Sequence, residues 1–92
     1  MSKLIADEDV FTTPKFISGR TFAMSIYGDF TATVSLQRVN VNDEPTVGTI
    51  WKTVATFTEP IELNGLDAGG HWYRIGIATG NYTSGTVLVD VY

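Results

Sequence analysis

The residues able to do chemistry are few and far apart in this sequence. His71 is the only histidine and there is no cysteine, so neither a His-rich nor a thiolate metal site can be assembled from the chain. His71 lies at a glycine-rich turn ahead of a strand, with no carboxylate read at helical or strand spacing to join it. Ser2, Ser18, Ser25, Ser35 and Ser84 occupy no Gly-x-Ser-x-Gly elbow and have no paired base, and a nucleophile needs a base that a third group orients. Asp7-Glu8-Asp9 and Asp43-Glu44 lack the alternating oxygens around a glycine that a calcium loop requires. Asn42-Asp43-Glu44-Pro45 reads instead as turn chemistry. Gly65, Gly69, Gly70, Gly76, Gly80 and Gly85 crowd the last third without the lysine and strand-to-helix turn of a phosphate cradle. They punctuate β turns, and Gly76, inside a strand, marks a bulge or a close backbone approach. Asn81-Tyr82-Thr83 matches a glycosylation sequon, read as accidental in a chain without an export signal. The expectation is a protein without catalysis, metal or cofactor.

Charge narrows the partners further. Ten acidic residues against six basic ones give a net charge of −4, and Lys3, Lys15, Arg20, Arg38, Lys52 and Arg74 stand singly along the sequence. Phosphate-backbone binding to nucleic acid is not expected of such a chain. No segment approaches the run of about 20 apolar residues that spans a bilayer, so no membrane partner is expected either. Charged residues make up only 17% of the chain, fewer than a free-living monomer usually carries on its surface, which leaves surface for a protein neighbour.

The elements that must position these residues are strands. Threonine is the commonest polar residue and recurs inside apolar alternation, as suits a half-exposed pleated surface. Phe22, Met24 and Ile26 share one face of a strand that ends at the Gly28-Asp29-Phe30 turn. Ala32, Val34 and Leu36 share one face of Thr31 to Arg38; Trp51, Ala55 and Phe57 share one of Ile50 to Phe57. Tyr73, Ile75 and Ile77 and then Val87, Val89 and Val91 form two apolar faces, read as a closing antiparallel hairpin joined by Gly80 to Gly85. Residues 1–10 form a flexible acidic arm and residues 11–92 one domain. The expected fold is an all-β single antiparallel sandwich of about seven short strands, immunoglobulin-like or fibronectin-III-like, with a jelly roll as the alternative. Alternation then turns Trp72, Arg74, Leu88 and Tyr92 outward and sets Tyr82 at the hairpin tip. Together with Leu4 and Ile5 of the arm, these are the candidate protein-interface residues, of types that hot spots favour. A carbohydrate platform of Trp51, Trp72 and Tyr82 is an alternative use of the same aromatics.

The order of three blocks carries a resemblance. Thr31 to Arg38 (Thr-Ala-Thr-Val-Ser-Leu-Gln-Arg), the Trp51 strand, and Trp72-Tyr73-Arg74-Ile75-Gly76 running into Thr79 to Val87 resemble small β-sandwich proteins encoded among the virion genes of tailed bacteriophages. The resemblance implies a non-enzymatic virion structural protein without cofactor, made in the host cytoplasm and present on the particle as a homo-oligomer or in many copies. It points to a capsid decoration (cement) protein held to the major capsid protein by protein–protein contacts. The alternative is a head–tail connector, tail or fibre-associated accessory domain, one that touches host glycans. The acidic lead-in Ser2 to Asp9 departs from the group pattern and is expected to reach onto an adjacent subunit.

Overall fold

A computed structural model describes residues 3–40, 45–46, 49–67 and 69–92. Its elements are β1 (Lys3–Ile5), β2 (Val10–Phe11), β3 (Lys15–Ile17), β4 (Arg20–Ala32), β5 (Val34–Asn40), β6 (Lys52–Phe57), β7 (Ile61–Asp67), β8 (His71–Ile77) and β9 (Tyr82–Val91), with no helix among the described residues. The protein is all-β: two antiparallel sheets packed face to face. The first sheet has the order β1-β9-β4-β7; the second has β2-β8-β5-β6, with β3 also paired to β8. Their inner faces meet in one core. Ile5, Met24, Ile26, Val87, Val89 and Val91 come from the first sheet; Ile17, Val34, Leu36, Tyr73, Ile75 and Ile77 come from the second. The apolar faces read from the alternation of β4, β5, β8 and β9 are these inner faces.

Partners differ from the expectation in three places. The segment expected as a flexible arm over 1–10 contains a strand: β1 pairs with β9, Lys3 opposite Val89 and Ile5 opposite Val87, and Ile5 is 1% exposed. Burying one isoleucine is enough to tie a short strand that has a ready edge to bond. The Gly28-Asp29-Phe30 turn is also absent. β4 runs straight through it against β9, because Gly28 adopts φ 123° and a Cβ there would lie 2.5 Å from the Thr86 carbonyl oxygen. The break falls at Thr33 instead, whose N–H donates to the Asn81 carbonyl at 2.8 Å, and the chain passes there into the second sheet as β5.

The third difference is the closing pair. β8 and β9 are consecutive but lie in opposite sheets: β8 pairs with β5, and β9 with β4 and β1. Alternation reports which face a strand buries, not which strand it bonds, so a hairpin and a sheet-to-sheet crossing look alike in sequence. The pairings nest. β1 bonds β9, β2 and β3 bond β8, β4 bonds β7, and β5 bonds β6, as in one long hairpin rolled until β4 meets β9 and β5 meets β8. Gly76 permits the closest of these approaches, since a Cβ there would come within 2.6 Å of the Phe11 Cα.

Candidate functional site

The predicted interface residues divide among three places. Leu4 stands opposite Leu88, and Leu88 stands opposite Tyr27. All three point away from the core, forming a row across β1, β9 and β4 on the outer face of the first sheet. Their exposures are 66%, 38% and 46%, large for side chains of this size. Tyr92, also exposed, extends the same face of β9 past Asp90. The row is framed by acids: Asp29 lies on β4 opposite Thr86, and Asp90 lies opposite Ser25, itself opposite Glu62. The Tyr27 hydroxyl donates to the Glu62 carboxylate, which fixes the ring across the sheet and raises the phenol's pKa. Tyr27 had no place among the predicted residues, because the assumed turn at Gly28 hid its register.

Ile5 is corrected from interface to core. Tyr82 is half-buried at the start of β9, packed against the core, and its hydroxyl donates to the Gly85 carbonyl at 2.9 Å.

Trp72 and Arg74 do face outward, but on the second sheet and under cover. Arg74 sits between two rings, 3.9 Å from the centre of Phe11 and 4.4 Å from that of Trp51. Its Nε donates to Gln37 at 2.8 Å, and Gln37 donates to Thr53 at 3.1 Å. Removal from water pulls the guanidinium pKa down, although a guanidinium remains charged in proteins. This side chain draws β2 and the approach to β6 over β8 and so helps to hold the second sheet together. Trp72 leans on Phe16 with ring centres 5.3 Å apart, and its buried Nε1 has no hydrogen-bond partner among the described residues. Trp51 was expected on the face of Ala55 and Phe57. A register shift places Leu36 opposite Ala55 but Gln37 opposite Thr53, and that extra residue turns Trp51 to the other side. Trp51 and Trp72 therefore belong to packed clusters and Tyr82 to the core margin; they form no common carbohydrate platform.

A polar network that the sequence reading missed closes one end of the sandwich. Asp67, 3% exposed, ends β7. Its Oδ1 accepts from the Gly69 and Gly70 amides at 3.1 and 2.5 Å. Its Oδ2 accepts from the Tyr73 hydroxyl at 2.8 Å and meets His71 Nδ1 at 2.6 Å. Burial pulls this carboxyl's pKa upward, but the Tyr73, Gly70 and His71 donors outweigh it and hold the pKa below the usual value. The Tyr73 phenol is displaced upward, first by burial and then by the carboxylate it serves. An ionised carboxylate can only accept, so His71 Nδ1 carries the proton. The sequence Asp67-Ala68-Gly69-Gly70 is the signal that was available: aspartate followed by small residues is apt to bond amides two and three positions on. Among the described residues no group of three or more His, Cys, Asp or Glu is placed to hold a metal ion.

Comparison with known proteins returns no family, no curated protein and no solved structure that matches this chain.

Proposed function

We propose that this protein is a non-enzymatic docking domain of a bacteriophage virion, a decoration protein seated on the major capsid protein through the outer face of its first sheet. The observation that carries this reading is the exposed row Leu4, Leu88 and Tyr27, continued by Tyr92. An apolar row of this kind, continuous across three strands of one sheet face, suits a partner surface. The acids Asp29, Glu62 and Asp90 around it suit a partner whose apolar patch has a basic rim. Two further points support the reading. The nested pairing, with order β1-β9-β4-β7 over β2-β8-β5-β6, favours the jelly-roll alternative over an immunoglobulin-like arrangement. Jelly rolls recur in viral capsid proteins, an argument of fold analogy alone. The sequence resemblance to small virion proteins points the same way. Many weak copies on a repeating lattice would bind with high avidity.

The test is co-sedimentation of the purified protein with undecorated heads. The intact protein is expected to pellet with the heads, and Leu88→Asp to weaken this at least about tenfold. Phe16→Ser, on the outer face of the second sheet, is expected to leave it unchanged. Failure of the intact protein to bind, or binding indifferent to Leu88→Asp, overturns the proposal.

A further inference from the structure

Basic residues that stand singly in the sequence are gathered by strand register. Arg38 lies directly opposite Lys52 on β6, and Asn40, two residues along β5, lies opposite His71 on β8. Arg38, Val39, Asn40, Ile50, Lys52 and His71 line one cleft of about 320 Å³, and no carboxylate lines it among the described residues. Two cations directly opposite each other on paired strands repel. Neither makes a salt bridge among the described residues, although the chain as a whole carries a net charge of −4. Among the described residues, the nearest carboxylate is that of Asp67, which is turned to the His71 ring and the Tyr73 hydroxyl behind the cleft.

His71 is held for a role at the same cleft. Its Nδ1 donates to the buried Asp67 carboxylate at 2.6 Å, which fixes the ring's orientation and turns its Nε2 edge to the cleft, an acceptor in the neutral ring and a donor in the doubly protonated one. Asp67 is itself locked by the Gly69 and Gly70 amides and the Tyr73 hydroxyl. The imidazole is thus backed by a rigid frame rather than mounted on a mobile loop.

We propose that this cleft binds an oxyanion, a phosphate or carboxylate group. Arg38 supplies the planar fork that matches two oxygens, Lys52 supplies a point charge, and the Asn40 amide orients the bound group, joined by the Nε2–H of His71 when the ring carries both protons. The site lies between β5, β6 and β8, away from the outer face of the first sheet, and does not depend on the docking role.

The experiment is amide chemical-shift titration of the full chain with inorganic phosphate and, separately, with succinate, against sodium chloride at matched ionic strength. Saturable shifts are expected at the amides of Arg38, Asn40, Lys52 and His71 with one or both probes. The probe that saturates identifies phosphate or carboxylate as the preferred source. Lys52→Gln, at an exposed edge position, is expected to weaken binding about tenfold while keeping the folded spectrum. Because Arg38 also acts on the Tyr73 hydroxyl, Arg38→Gln is the secondary variant. Absence of saturation by either probe up to about 10 mM, or equal binding by wild type and a folded Lys52→Gln, overturns the proposal.

Discussion

Asp67 accepts hydrogen bonds from two backbone amides, a phenol and an imidazole at once, and Gly70 and Tyr73 are buried with it. Replacing it by asparagine keeps the volume but swaps one acceptor oxygen for a donor amide. Asp67→Asn is therefore expected to cost about 2–4 kcal/mol in urea unfolding. The same residue sets an acid limb. Its folded pKa lies below the ordinary 3.8, so its contribution is fully present above that value and is lost as pH falls through the lower, folded value. Unfolding midpoints measured from about pH 5 to about pH 2 should fall steeply for the wild type and less steeply for Asp67→Asn. At this scale the sequence was legible in types but not in meetings. His71 was visible as the lone histidine, while Asp67, four positions earlier, joins it only because the Gly69 and Gly70 amides bring its carboxylate back to the ring. Arg38 and Lys52 likewise stand fourteen positions apart (52 − 38) in the sequence and become neighbours through a register that the intervening loop does not announce.

The strands were legible wherever one face is apolar and the other polar, as in β5, β8 and β9. Short or interrupted elements were not. β1 has three residues, too few for alternation to register, and its only core contact is Ile5. Ile5→Ala is expected to cost about 2–4 kcal/mol by chemical denaturation, whereas Leu4→Ser, one position away on the outer face, should change stability by no more than about 0.5 kcal/mol. Equal and small effects of both would return residues 3–5 to the status of an arm. The same scale explains Trp51. A single extra residue in β6 moves it from the core face to the stack on Arg74, and no pattern in Ile50 to Phe57 marks where that residue is inserted.

Because the two sheets share one core, neither has an apolar interior of its own. Trp72 belongs to the second sheet and Trp51 is stacked against that sheet's outer face, so tryptophan fluorescence reports on that half alone. Ile26→Ala, in the first sheet, is expected to cost about 2–5 kcal/mol and to shift the fluorescence midpoint as far as the far-ultraviolet circular dichroism midpoint, as one cooperative transition requires. Separated midpoints would mean that the sheets unfold independently. The nested pairing also bears on how the chain is made. β9 lies between β1 and β4, so the first sheet has no centre until residues 82–91 have been synthesised. As the polypeptide leaves the ribosome, β5, β6 and β8 can already close on one another. β1 then waits without any partner, and β4 has only β7 beside it. The apolar face of Phe22, Met24 and Ile26 is in that interval the stretch of nascent chain that a holding chaperone would grip.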